Sequence, residues 1–150
     1  MYNIGKILPH RETMVFISGV ESVDLAQGLL TARVDTKETD ILYDKELGGI
    51  PAYVSLEYMA QSVGCFTGIN DISENSDATP QAGFLIGSRK LEIFTPIIEA
   101  NKSYYIDIKS LFCDDNIVSF ECRVYDEKLT IAKATLNAYR PKDINDFKNK

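Results

Sequence analysis

The sequence PAYVSLEYMAQSVGCFTG, residues 51–68, predicts a helix that is apolar on nearly every side and carries one carboxylate, Glu57. No other residue between Leu47 and Ile69 is charged. Burying an ionised carboxylate costs free energy, so such a side chain is usually paired with a cation or kept protonated, ready to act as an acid. Glu57 is therefore a candidate functional residue. The alternative is a structural glutamate that reaches solvent or a hydrogen-bond donor.

Length, charge and composition limit the class of protein. The 150 residues are 45% hydrophobic and predict a single domain over 1–150, with a core over about 5–140 and a polar tail at 141–150. A net charge of −6 argues against a nucleic-acid partner. Three cysteines without C-x-x-C spacing and one histidine offer no metal site, and they favour free thiols in the cytoplasm. The first ten residues lack a secretory signal, and the polar residues within 50–69 argue against a membrane span.

Strand patterns lie on both sides of the helix. Upstream, residues 13–23 and 29–35 are apolar and β-branched and predict a hairpin. We expect the helix to end at Gly68, because the polar run that follows, through Pro80, favours a surface loop. Residues 82–94 then predict another strand, interrupted by glycine.

The C-terminal third alternates apolar with polar residues, which is typical of half-buried antiparallel strands. The apolar positions are Tyr104, Ile106 and Ile108, then Val118, Phe120, Cys122 and Val124. In the last strand the corresponding face is small, with Ala132, Ala134 and Ala138. A face of small residues lets a helix lie close against the sheet.

These elements predict an α+β fold of the hotdog type, a curved antiparallel sheet of five or six strands wrapped around one long central helix. The helix at 51–69 is the only long apolar cover for the sheet. A helix that is apolar all round also has a side that the sheet leaves open, so we expect a dimer to complete its burial.

Two segments together resemble a known family. LPHR at 8–11, followed by MVFISGV at 14–20, is similar to the start of bacterial 3-hydroxyacyl-acyl-carrier-protein dehydratases. LEYMAQ at 56–61 resembles the helix that bears their catalytic glutamate, with PAYV at 51–54 before it and GFLIGSR at 83–89 after it. The combination looks most like the dehydratase-like proteins encoded with aryl polyene biosynthesis.

The resemblance implies dehydration of a 3-hydroxyacyl thioester to a trans-2-enoyl thioester, with Glu57 as the acid. The standard dehydratases carry their catalytic histidine in a His-Phe-Pro-Gly element ahead of the glutamate. Here that stretch has no histidine, and the matching position lies near Tyr43. His10, the only histidine, is then the candidate base, unless it is architectural and the base comes from a partner protein.

Further residues are candidates for substrate binding. Backbone N–H groups near Gly48, Gly49 or Gly87 could hold the thioester oxygen as negative charge grows on it. Gln61 lies one turn beyond Glu57 and could orient its carboxyl group, or simply cap neighbouring backbone. Arg89 could contact a phosphopantetheine phosphate or an acidic carrier-protein helix, or be a solvated edge residue. No cofactor is implied.

The expected partners are a thioester linked to acyl carrier protein or coenzyme A, and a second hotdog chain, identical or paralogous. Two other functions stay open. One is a non-catalytic subunit that pairs with a complete dehydratase, and the missing histidine favours it. The other is an acyl thioesterase, in which an acidic residue of the central helix would activate water.

Overall fold

The computed structural model describes residues 15–74, 84–114 and 117–139. Their strands are β1 (Gly19–Asp24), β2 (Leu29–Asp35), β3 (Ile50–Pro51), β4 (Phe84–Ile93), β5 (Ile97–Ile98), β6 (Ser103–Asp114), β7 (Ile117–Tyr125) and β8 (Thr130–Tyr139). A 3-10 turn at Ala52–Val54 leads into the helix α1 (Ser55–Glu74).

Six of these strands form one antiparallel sheet in the order β1-β2-β6-β7-β8-β4. The predicted hairpin is confirmed as β1 and β2. Its turn contains Gly28 at φ +70°, and a Cβ there would come within 2.7 Å of the Ser110 Cβ. Glycine alone fits this left-handed position comfortably.

One face of the sheet is the core, as the alternation of apolar residues predicts. Its buried members include Leu30, Ala32, Val34, Tyr104, Ile106, Ile108, Phe120, Cys122, Val124, Ala132, Ala134 and Leu136. The helix α1 packs mainly on β2, β6, β7 and β8. The ring of Phe66 meets that of Phe120 edge-on, with centroids 5.8 Å apart. A sheet of six strands around one long helix confirms the predicted α+β hotdog arrangement.

The helix is longer than its sequence predicts. It continues through Gly68 and ends at Glu74, so the expected end at Gly68 is wrong. Ile69 is buried and Ile72 packs partly buried against the core, which favours a further turn over the local preference of Gly68 and Asn70 for a break. The rest of the predicted loop, residues 75–80, lies outside the described residues, as do the first two residues of the strand predicted at 82–94 and the polar tail.

A small second sheet fixes the start of the helix. In it β3 pairs with β5, so that Ile50 lies opposite Ile98, and both are buried. The N–H of Ala52 donates to the Pro96 carbonyl over 3.0 Å. These contacts hold the first turn of α1, which carries Glu57. Within the described ranges, no helix has the length and hydropathy needed to cross a membrane.

Candidate active site

Glu57 lies in the first turn of α1 and is partly buried. The N-terminus of a helix favours a negative charge, because the N–H groups of the first turn have no acceptor within the helix and leave a partial positive charge at that end. Ser55, two residues earlier, is fully buried, and its hydroxyl is the buried side-chain oxygen without a hydrogen-bond partner among the described residues.

Gln61 joins Glu57 to the segment that precedes β1. Its amide nitrogen Nε2 donates to Glu57 Oε1 over 3.0 Å. Its carbonyl oxygen Oε1 accepts the Phe16 N–H at 2.8 Å and the Ile17 N–H at 3.4 Å. Gln61 is fully buried. The side chain thus contacts the Glu57 carboxyl group and also accepts from two backbone N–H groups.

These contacts fix the orientation of the Gln61 amide. A backbone N–H can only donate, so the group that faces Phe16 and Ile17 must be the oxygen. The nitrogen then faces Glu57, and Oε1 of the carboxyl group is held as an acceptor.

The segment that meets Gln61 is packed against the same helix. The ring of Phe16 meets the Tyr58 ring edge-on with centroids 5.9 Å apart, and Ile17 is buried. Burial, with a smaller contribution from the charge of Asp40, raises the pKa of Tyr58. This phenol is therefore neutral at physiological pH. His10 itself lies outside the described residues.

The turn ahead of the helix contains Gly48 and Gly49, whose N–H groups are predicted donors to the thioester oxygen. The N–H groups of Gly48 and Gly49 both donate to the Asp44 carbonyl, over 2.9 and 3.2 Å. Gly48 adopts φ +71° in this turn. The geometry disfavours a role for either N–H in binding the thioester oxygen.

The other predicted binding residues lie on the edge strand β4. Gly87 lies opposite Asn137 next to a register shift, and Arg89 lies opposite Thr135. Arg89 is exposed, and its neighbour Lys90 has φ +54°. Both predicted residues are one strand beyond those that make the main contacts of the helix, so a single described chain does not group them around Glu57.

Tyr43, near the position expected for the histidine, lines a surface groove of about 460 Å³ beside the start of the helix. Ile41 and Tyr53 also line this groove, and they are 62% and 64% exposed. Sequence reasoning missed this apolar surface and the N–H donors of Phe16 and Ile17. The partners of backbone N–H groups cannot be predicted from a sequence, whereas an apolar residue such as Ile41 in a polar stretch could have indicated the apolar surface.

The chain is a hotdog protein whose central helix carries a carboxyl group held by an amide one turn away. The chain belongs to the ApeP-like dehydratase family, whose model matches residues 2–149. This confirms the predicted resemblance. A search of curated protein sequences found no match.

Solved structures show the same fold. The dehydratase heterocomplex ApeI:P from Xenorhabdus doucetiae contains a chain that is 22% identical, with a TM-score of 0.86, 100% of this chain covered and 99% of that one. The PaaI protein of the phenylacetic acid degradation operon of E. coli is 8% identical, with a TM-score of 0.61 and coverage of 81% and 82%. A sigma28-regulated virulence protein of Campylobacter jejuni is 12% identical, with a TM-score of 0.60 and coverage of 93% and 96%.

Proposed function

We propose that this chain takes part in the dehydration of a 3-hydroxyacyl thioester to the trans-2-enoyl thioester, with Glu57 as the acid. The observation that carries the proposal is the position of Glu57, the one charged residue of the apolar run, with one carboxyl oxygen held by Gln61. The acyl group would be linked to acyl carrier protein or coenzyme A, in fatty acid or aryl polyene biosynthesis. Cytoplasmic conditions suit the free, buried thiols of Cys65 and Cys122.

The reaction requires two proton transfers. A base removes a proton from the α-carbon, and the electrons of that C–H bond form the new double bond. The bond between the β-carbon and oxygen breaks, and Glu57 donates its proton to the departing hydroxyl, which leaves as water. The base and Glu57 then exchange protons with solvent and return to their starting states.

The base is His10 or a group of a partner chain. Phe16 lies six residues after His10 in the sequence. Its N–H donates to Gln61, and Gln61 donates to Glu57. Phe16 is therefore one side chain away from the proposed acid, and its closeness to His10 in sequence supports His10. For the thioester oxygen, Gly87 is the remaining predicted donor, because a register shift in β4 frees backbone groups from the ladder.

A second hotdog chain is the proposed partner, and one side of the described fold suits it. Among the described strands, β4 lies at the edge of the sheet and pairs on one side only, and Leu91, Ile93 and Phe94 are 37%, 43% and 53% exposed. Ile93 lies opposite the buried Ala132, so it faces the helix side of the sheet. An unpaired edge with exposed apolar side chains favours pairing with another chain.

The helix also has a face that the sheet leaves open. Tyr53, Leu56, Ala60 and Gly64 follow one another at helical spacing, and each is exposed or partly buried. The similar chain from Xenorhabdus doucetiae belongs to a heterocomplex, which supports a paralogous dehydratase over a second identical copy. In a pair of that kind this chain could also be a non-catalytic subunit, which Tyr43 in place of the histidine favours.

The decisive experiment incubates the purified chain with a 3-hydroxyacyl thioester, alone and with a paralogous dehydratase. Formation of the conjugated enoyl product is followed by absorbance, and free thiol by a colorimetric reagent. Enoyl product from the chain, or an increase in the complex that is lost in Glu57→Gln, supports the proposal. Thiol release alone would indicate a thioesterase. An unchanged rate with Glu57→Gln in the complex would indicate a non-catalytic subunit.

The partner surface has its own test. Phe94→Glu places a charge on the proposed interface, and Leu129→Glu, at a residue that is 58% exposed in the turn between β7 and β8, is the matched control. Native mass spectrometry of the chain mixed with the paralogous dehydratase should show heterodimers for the parent and for Leu129→Glu, and separate monomers for Phe94→Glu. Equal dimerisation of both variants would move the interface elsewhere.

A further inference from the structure

The loop between β2 and β3 carries more acidic than basic side chains, and it lies beside the surface groove at the start of the helix. Its charged residues are two lysines and four carboxylates, a net charge of −2: Lys37, Glu38, Asp40, Asp44, Lys45 and Glu46. Asp44, Lys45 and Glu46 line the groove itself. Glu38 and Glu46 are exposed, and neither forms an ion pair with another described residue. The rim of the groove is therefore acidic.

The helix that follows this loop adds no positive charge. Residues 46–88, which include all of α1, contain no lysine, arginine or histidine. The lysines of the sheet face the other way: Lys109 and Lys133 alternate along their strands with the buried Ile108 and Ala134, so they point away from the helix. A partner that covers the loop and the helix therefore meets more carboxylates than cations from these two segments.

An apolar surface adjoins these carboxylates. Tyr53 is exposed and lines the groove, and it also begins the open helix face that continues with Leu56, Ala60 and Gly64. Ile41, which is exposed as well, lines the same groove. A continuous apolar centre beside a charged rim is typical of a surface that binds another protein.

We infer that this acidic loop selects a basic partner: a paralogous hotdog chain with lysine or arginine side chains where it meets residues 37–46, in preference to a second copy of this chain. The inference rests on the proposed pairing with a second hotdog chain. A two-fold homodimer brings the same surface of both copies together. That contact would place one acidic rim against the other, between chains that each carry a net charge of −6. A basic partner turns the same charges into attraction.

Charge variants at the groove test the inference. Glu46→Gln and Glu46→Lys remove and then reverse one charge of the rim, and they keep the backbone N–H that donates to Asp44 Oδ1 over 2.9 Å. Lys45→Glu makes the opposite change beside it. Glu121→Lys is the matched control: it alters the net charge as much as Glu46→Lys does, at an exposed residue that points away from the helix, because its neighbour Cys122 is buried on the helix side. Thermal unfolding checks that each variant is folded.

Binding of each variant to the paralogous dehydratase is measured by surface plasmon resonance at low and high salt. At low salt we expect Glu46→Lys to weaken the heterodimer about two- to tenfold, mainly through a slower association rate, with Glu46→Gln between it and the parent. Lys45→Glu should strengthen binding, and Glu121→Lys should match the parent. The differences should shrink at high salt, because salt screens exposed charges. Equal weakening by Glu46→Lys and Glu121→Lys, or differences that persist at high salt, would overturn the inference.

Self-association of the chain alone is the second measurement. Analytical ultracentrifugation at low salt should show weaker homodimers for the parent than for Glu46→Lys, because the substitution removes repulsion between the two rims. A parent chain that pairs with itself more tightly than with the paralogue, or that does not bind the paralogue, would refute the selection. Neither measurement needs substrate, so charge-dependent pairing without enoyl product would count against the proposed dehydration alone.

Discussion

Glu57 and Gln61 lie one helical turn apart, and the amide of Gln61 donates to the carboxyl group of Glu57 over 3.0 Å. Gln61 is fully buried and Glu57 only partly so. The inner residue thus holds the outer one in place.

Replacing the acid should therefore separate activity from stability. Glu57→Gln keeps an oxygen that can accept from Gln61, so we expect the free energy of unfolding to change by less than about 0.5 kcal/mol. The amide cannot deliver a proton, and dehydration should fall by about a hundredfold or more. Thermal unfolding and the enoyl absorbance assay measure the two effects. Parental turnover in the variant would show that Glu57 is not the acid, and loss of folding would favour a structural glutamate.

The sequence predicted those parts of the fold that depend on periodicity. Alternation in residues 104–108 and 118–124 reports directly which side chains face the core, and the structure confirms it. The end of the helix depended instead on whether Ile72 finds apolar contacts, which local preferences at Gly68 cannot reveal.

For the candidate site, the sequence predicts the contact between side chains but not the partners of backbone groups. Glu57 and Gln61 have the spacing of helix neighbours, and they do meet. Gly48 and Gly49 suggested free N–H groups, but the carbonyl of Asp44 accepts both, because the turn closes on itself. The partner of a backbone N–H is set by the fold, so neither this contact nor that of Phe16 with Gln61 could be read from composition or spacing.

The ion pair between Lys102 and Asp126 predicts how the stability of the protein changes in acid. Asp126 is 7% exposed, and its carboxylate accepts a hydrogen bond from the Lys102 ammonium over 2.7 Å. The same carboxylate accepts hydrogen bonds from the backbone N–H groups of Lys128 and Leu129 in the turn that follows. Burial alone would raise the pKa of Asp126, but these hydrogen bonds outweigh it and lower the pKa from 3.8 to about 2. Because the pKa is lower in the folded state, the stabilisation is complete above about pH 4 and is lost as the pH falls towards 2.

Asp126→Ala should thus lower the free energy of unfolding by about 1–3 kcal/mol at pH 7 and by much less at pH 2. Urea unfolding at the two pH values measures the difference. Glu99→Gln is the control, because Glu99 also contacts Lys102, at 3.2 Å, but its side chain is 69% exposed. We expect little effect from it. An equal loss at both pH values for Asp126→Ala would contradict the assigned role of the charge.

Two glycines offer a matched test of the packing at the start of the helix. A Cβ on Gly49 would lie 2.3 Å from Ile97 Cγ2 and 2.8 Å from the Ile98 carbonyl oxygen, whereas one on Gly87 would meet no atom of the described residues within 4 Å. Gly49→Ala should displace β5 from β3 and cost about 1–3 kcal/mol of stability. Gly87→Ala should stay within about 0.5 kcal/mol of the parent. Similar melting temperatures for the two variants would show that the contact between β3 and β5 is loose.

His10 provides the sharpest test of the source of the base. The six residues from His10 to Phe16 can span at most roughly 20 Å, and Phe16 is tied through Gln61 to Glu57. If His10 is the base, His10→Gln should lower kcat by about a hundredfold or more and abolish the acid limb of the pH–rate profile near pH 6.5, because only neutral imidazole accepts the proton. Arg11→Gln, in the same sequence element, controls for disruption of the segment. Retained turnover and an unchanged acid limb in His10→Gln would assign the base to the partner chain. A crystal structure of the complex in which every distance from His10 to Glu57, within or between chains, exceeds the span of a bound 3-hydroxyacyl group would do the same.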